Sequence, residues 1–185
     1  MATEVLKRLL NVDEYYQMAE AGILKPDDRV ELIHGEIYEM SPIGSKHAAI
    51  VNRLARLLNK ILEQSVSIGI QSPIRLSQVD EPEPDISIAK YKADDYLSSL
   101  PNAEDVLLLI EVADSSIQYD RTTKKPLYAS HGIPEYWIID IENEIIEVYQ
   151  KPINSDYTKN KSLQKGDSVQ LLDRALKVAD IFPGT

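Results

Sequence analysis

The segment Val106–Ala113, VLLLIEVA, constrains the fold more than any other part of the chain. Both of its alternating faces are apolar until Glu111, so the strand it predicts has to be covered from above and below. A strand buried on both faces implies a central sheet between two further layers. The same run poses a chemical question. Glu111 lies near the carboxyl end of the most apolar strand, and an ionised carboxylate there is costly to desolvate unless it is paired or bound to a cation.

The flanking sequence supplies elements for such a fold. Asn11–Ala21 reads as a short helix, with Asp13 a candidate cap and Gly22 the stop. Val30–Ile33 and Glu36–Met40 read as two strands joined by the two-residue turn His34-Gly35. The clearest helix runs from Lys46 to Glu63 with Ser45 as its expected N-cap; Ile50, Leu54, Leu57, Leu58 and Ile61 share one arc, and Lys46, Arg53, Arg56 and Lys60 another. Val66 to Leu76 alternates as a half-buried strand bent at Pro73. Pro84–Ala89 is a shorter strand, and Asp120–His131 is helical, with Pro126 expected in the first turn of its regular part. Glu135–Ile141 and Ile145–Gln150 form a hairpin around Glu142-Asn143, with Tyr136 and Trp137 in the core, and weaker strands lie near Ser168–Leu172 and Ala175–Val178. The reading is α/β: three layers, a central mixed sheet flanked by helices, with an N-terminal hairpin and a C-terminal β extension. No repeat or Gly/Ser linker divides the chain, so one domain over residues 1–185 is expected.

Composition excludes several chemistries. Cysteine is absent, which removes disulfides, thiolate catalysis and cysteine-based metal sites. No apolar run approaches the roughly 20 residues that span a bilayer, and Met1–Leu10 lacks the apolar core of a secretory signal; a cytoplasmic protein with no membrane partner is expected. With 20 Lys+Arg against 30 Asp+Glu the formal net charge is −10, so any polyphosphate is repelled at long range and must be bound by a local basic surface.

Two carboxylates stand out. Asp85, in Pro84-Asp85, opens the strand before Glu111's, and acids at neighbouring strand ends form an oxygen cradle suited to a hard divalent cation such as Mg²⁺. If the helix runs from Asp120, then Asp120, Lys124 and Tyr128 share one face at i, i+4, i+8; Lys124 and Tyr128 share it even if the regular helix begins at Lys124, whereas Lys125 reads as solvated surface. His47 projects onto the apolar side of its helix, in the first turn; a histidine so placed is ordinarily a satisfied core residue, yet it could face the same cluster. Gln71 lies on the polar face of its strand.

Glu31-Leu32-Ile33-His34-Gly35-Glu36, Ser41-Pro42 with His47, Pro84-Asp85, Ile110-Glu111-Val112, Tyr119-Asp120-Arg121 with Lys124 and Tyr128, and Gly132-Ile133-Pro134-Glu135-Tyr136-Trp137 follow one another in this order. Each piece alone is weak. The ordered set, spanning about Asn11 to Tyr149, resembles the Uma-two family of endonucleases, a branch of the PD-(D/E)XK nuclease superfamily. The resemblance implies the restriction-endonuclease-like fold, with Asp85, Glu111 and the backbone carbonyl of Val112 as ligands of Mg²⁺ or Mn²⁺. The superfamily's lysine two residues after the glutamate is Ala113 here, and within the resembling family Lys124 takes over its role. Glu31 matches a family position and adds a third carboxylate; read alone it is a solvent-facing residue of an edge hairpin.

The implied activity is metal-dependent hydrolysis of phosphodiester bonds, with DNA as substrate and Asp85, Glu111, Lys124, His47 and Glu31 as the catalytic set. The basic arc of the long helix reads as a backbone-phosphate contact or, as such faces ordinarily are, a solvated surface. A homodimer would suit cleavage of two strands, although no segment marks an interface. The competing expectation is a catalytically silent nuclease fold used for binding or assembly, which the missing strand lysine and the acidic balance support. A glycosidase using Asp85 and Glu111 finds no sugar-stacking aromatic pattern.

Overall fold

The computed structural model describes residues 6–63 and 65–182; the chain's first five residues, on which part of the signal-peptide reading rests, and the last three lie outside the described residues. Six strands form the central sheet in the order β3-β4-β5-β6-β7-β8: β3 (Val66–Ile70), β4 (Ile86–Lys90), β5 (Val106–Ala113), β6 (Glu135–Asp140), β7 (Ile145–Ile153) and β8 (Asp156–Leu163). β5 and β6 are parallel and every other neighbouring pair is antiparallel. The sheet is therefore mixed, and α/β is the observed class. Two small antiparallel pairs stand outside it, β1 (Val30–Ile33) with β2 (Glu36–Glu39), and β9 (Ser168–Leu171) with β10 (Arg174–Lys177).

Side-chain alternation along β5 divides the core into two layers. Leu108, Ile110 and Val112 face one cluster, built with Leu54 and Leu58 of helix α2 (Ser45–Leu62), Trp137, and Val178 and Ile181 of the short helix α5 (Val178–Ile181). Leu109 and Ala113 face the other, with Ile33, Leu127, Tyr128 and Tyr136. Glu111 shares this second face by parity, and so does Glu31, two residues before Ile33 on β1. Trp137 and Tyr136 are fully buried core residues, as their apolar strand predicts.

Local chemistry explains the departures from the sequence reading. Helix α1 (Val12–Glu20) is capped by Asn11, not Asp13: the Asn11 side chain accepts from the Glu14 amide at 2.8 Å, and Glu14 accepts from the Asn11 amide, a reciprocal box. Gly44, rather than Ser45, stands at the N-cap of α2, with no side-chain bond. The alternating strand stops at Ile70, because Gln71 adopts a left-handed φ of 46° and turns the chain away. Ile74 and Leu76 then pack into the second core layer, while Val66, Ile68 and Ile70 pack against the first. The turn His34-Gly35 has φ of 52° and 72°, as a two-residue hairpin turn of mirror type requires. β8 was not expected at all. It is a polar edge strand on which only Tyr157 is buried, so no hydrophobic alternation marks it.

The link from β5 to β6 is also irregular. Helix α3 (Ile117–Tyr119) runs into a π-helical turn over Asp120–Lys124, followed by α4 (Lys125–Ser130) with Pro126 in its first turn. The wide turn is closed by the Lys125 amide on the Asp120 carbonyl, and it buries Asp120 and Lys124 together.

Candidate functional site

The sheet register places the two strand acids side by side. Ile86 pairs with Ile110, so Asp85 and Glu111 lie one step beyond that pair, at the carboxyl end of β5. Their groups touch: the Asp85 amide donates to Glu111 Oε2 at 3.3 Å. Asp85 Oδ2 accepts from the Val112 amide and from His47 Nε2, both at 2.9 Å, while Oδ1 accepts from Gln71 Nε2 at 3.2 Å. His47 therefore faces the cluster from the first turn of α2, and its Nδ1 is buried with no hydrogen-bond partner.

Lys124 approaches Glu111 from the π turn. Its Nζ lies 3.0 Å from Glu111 Oε1 and 3.2 Å from Glu31 Oε2, which brings the hairpin acid into the same group. Tyr128 donates to Glu111 Oε1 at 2.8 Å, and Tyr119 to Glu31 Oε1 at 3.1 Å. The Glu83 amide also donates to Glu31 Oε2 at 3.1 Å. Glu31 is thus buried and triply held, not the solvent-facing hairpin residue that its strand pattern suggests when read alone. Ala113 is buried on the same face as Glu111 without an amine, and the Lys124 ammonium reaches the carboxylate from the helix side. The five residues of the expected catalytic set meet here with Val112, Tyr128 and Gln71.

Sequence reasoning left Tyr119 out of the cluster and put Asp120 on the face of Lys124 and Tyr128 only for a helix regular from Asp120, although both sit in the motif Tyr119-Asp120-Arg121. Their inward placement depends on the π turn, which no residue pattern announces. Asp120 accepts from Ser116 Oγ at 2.7 Å. Lys125, expected as solvated surface, points away from the cluster but is half-buried, paired with Asp156 at 3.0 Å and lying over the Tyr149 ring. Within the basic arc of α2, Lys46, Arg56 and Lys60 are exposed, whereas Arg53 is half-buried and donates to the Asp180 carbonyl.

Burial sets the charge states. Burial pushes Glu111 up to about 8, against the pull of Lys124 and with the help of Asp85 and Asp120. Asp120 is likewise pushed up, to about 6, by burial. Burial also acts to raise Asp85, but the His47 and Val112 contacts outweigh it and hold the carboxyl below its ordinary value. For Lys124 burial favours loss of the proton, and Glu111, Glu31 and Asp120 more than reverse this, so the ammonium stays charged.

The cluster forms one wall of a cavity of about 370 Å³. Other walls come from the β1–β2 hairpin with Tyr38 and Met40, the loop Ser41–Gly44, and the turn Asp114–Ser116. The acids lining it are Glu31, Glu39, Glu83, Asp85, Glu111, Asp114 and Asp120, against the cations Arg29 and Lys124. Among the described residues no three His, Asp or Glu side chains form a ready-made metal cage. Two carboxylates on adjacent strands do fit a hard cation that keeps several waters. Val112 offers its carbonyl on the strand edge from which its amide reaches Asp85, since one residue's N–H and C=O point to the same neighbour. Burial lifts Glu111 most, and the neighbouring acids add to it; a divalent cation would offset that negative charge.

Comparisons with known proteins bear on the family and the fold. The model of the Uma2 family, described as "Putative restriction endonuclease", matches residues 12–178. A putative nuclease belonging to DUF820 from Anabaena variabilis ATCC 29413 has a similar structure, with a TM-score of 0.72 at 16% identity, covering 94% of this chain and 97% of that one. At that identity the likeness shows the fold. No curated protein matches the chain.

Proposed function

Because the chain belongs to the Uma2 family, we propose that it is a divalent-cation-dependent endonuclease that hydrolyses phosphodiester bonds in DNA. The observation that carries this reading is the contact of the Lys124 ammonium with Glu111, 3.0 Å away, beside Asp85 at the open end of β5. Asp85, Glu111 and the Val112 carbonyl would hold Mg²⁺ or Mn²⁺. The cation supplies Lewis acidity toward the scissile phosphate and its attacking water. The remaining work belongs to the protein. His47, Gln71 and the Val112 amide fix the Asp85 carboxylate. Lys124 stays protonated, so it is no general base; its fixed positive charge stabilises the negative charge that grows on the phosphoryl group. Glu31 and Tyr119 position that lysine from the hairpin and from α3.

A second reading, a silent nuclease fold used for binding or assembly, draws on the same lysine. Lys124 is 5% exposed and engaged by two carboxylates, which also suits a structural role. Cation binding and turnover separate the two. A cation at about 100 times its dissociation constant stabilises the folded state by about 2.7 kcal/mol, or about 5–11 °C in a chain of this length. Mg²⁺ should raise the melting temperature of the wild type and not of Asp85→Asn, and only the wild type should cut DNA. An equal rise in the variant would place the cation elsewhere; binding without cleavage of any nucleic acid would favour the silent fold.

A further inference from the structure

Helix α2 is the exception in an acidic chain. Against a formal net charge of −10, its residues Ser45–Leu62 contain no Asp or Glu and carry Lys46, Arg53, Arg56 and Lys60. At 100° per residue these four project opposite the buried Val51, Leu54 and Leu58; Arg53 is half-buried on the Asp180 carbonyl, and the exposed Lys46, Arg56 and Lys60 form one outward ridge. None of the four belongs to an ion pair among the described residues. The ridge also has a defined beginning. His47 and Gly44 of the first turn line the cavity, and Lys46, between them in the chain, is exposed. From Lys46 to Lys60 the ridge extends for about 21 Å at 1.5 Å per residue.

The cavity at the other end is small and walled. Its volume of about 370 Å³ suits one nucleotide rather than a groove for a duplex. The acid pair lies at its base, with Glu111 4% exposed, so a scissile phosphate has to leave the molecular surface to reach it. Tyr38 and Tyr119 line the cavity with ring centroids 5.6 Å apart, and Met40 and Ile43 add apolar surface. Aromatic and apolar walls accept a base whose faces have been freed from a stack.

Resting on the nuclease reading above, we propose that the substrate enters as an unpaired strand: one nucleotide occupies the cavity beside Tyr38 while the phosphates leading away from it follow the Lys46–Arg56–Lys60 ridge of α2. A duplex offers the same phosphates, but its paired partner strand keeps the nucleotide from entering alone. The acidic remainder of the surface repels the chain elsewhere, which confines contact to the ridge and makes it strongly salt-dependent.

Fluorescence anisotropy tests this with the full chain in Ca²⁺ buffer, using a short labelled strand of mixed sequence and its blunt-ended duplex, with the probes checked for integrity afterwards. The single strand should bind more tightly than the duplex. Arg56→Glu with Lys60→Glu should weaken single-strand binding about tenfold or more. Two lost phosphate contacts should also flatten the logarithmic salt slope by about 1.4. Arg56→Gln with Lys60→Gln repeats the test should the reversals disturb folding. Equal or tighter binding of the duplex, or a salt slope that neither pair of substitutions changes, would overturn the proposal. Cation-dependent cleavage together with duplex preference would overturn it while leaving the nuclease reading in place. Strand-selective binding along the ridge without cleavage of any DNA would do the reverse.

Discussion

Replacing Lys124 with Met keeps the length of the side chain and removes its charge. Lys124 and its partners Glu111 and Glu31 are all buried, at 5%, 5% and 1% side-chain exposure, so solvent cannot screen what remains. Removing one member of a buried ion pair costs about 3–5 kcal/mol, chiefly because the partner charge is left uncompensated. Glu111 is already pushed up to about 8 and can take up a proton, which relieves one of the two carboxylates. Glu31 remains, and the expected loss is therefore at the lower end, about 3 kcal/mol. At 2–4 °C per kcal/mol this lowers the melting temperature by about 6–12 °C. The assay is thermal unfolding in EDTA at several pH values, with Lys125→Met as a control whose pair with the exposed Asp156 should matter little. The deficit should shrink toward pH 5, where Glu111 is neutral. A Lys124→Met protein as stable as wild type at neutral pH would refute the reasoning, because the ammonium would then not hold the two acids.

Other perturbations probe the same architecture. In EDTA, wild-type stability should fall as pH rises: Glu111 and Asp120 bind protons more tightly folded than unfolded, so their contribution is lost between about 4.5 and 8 and between about 3.8 and 6. Glu111→Gln should flatten that slope in thermal melts, and an unchanged slope would remove Glu111 as its source. Tyr128→Phe should cost about 1–3 kcal/mol in urea unfolding, since it strips a buried donor from Glu111; a neutral effect would mean that the bond is replaced. Gly35→Ala should destabilise the hairpin and weaken cation binding by displacing Glu31, because an added Cβ would lie 2.7 Å from Leu9 Cβ at a φ of 72°. Calorimetry with Mg²⁺ checks the second half, and unaltered affinity would uncouple the hairpin from the site.

Legibility of the fold in the sequence followed burial. VLLLIEVA announced a strand covered on both faces because each of its positions meets a core layer, and His34-Gly35 announced its turn because few residue pairs adopt two positive φ values. β8 stayed hidden because an edge strand buries one side chain and otherwise looks like a loop. The site followed a different rule. Asp85 and Glu111 were conspicuous as acids beside apolar strands, and the resemblance supplied Lys124 and Glu31. How the partners hold them was not legible, because their contacts depend on tertiary approach. Gln71 reaches Asp85 through a left-handed turn, Glu31 reaches Lys124 across 93 positions of sequence, and Asp120 enters through a π turn. A strand pattern assigns Glu31 a face; only the docking of the hairpin against α3 decides that this face is buried.

The most direct test of the central claim is the rate of DNA cleavage by wild type, Asp85→Asn and Glu111→Gln, each followed on single-stranded and plasmid DNA with Mg²⁺, with Mn²⁺ and with EDTA. The account predicts cleavage by the wild type that depends on the cation, and a loss on the order of 10² or more in either variant, as expected when groups that stabilise developing charge are removed. Cleavage at wild-type rates by Asp85→Asn, or by the wild type in EDTA, would contradict it.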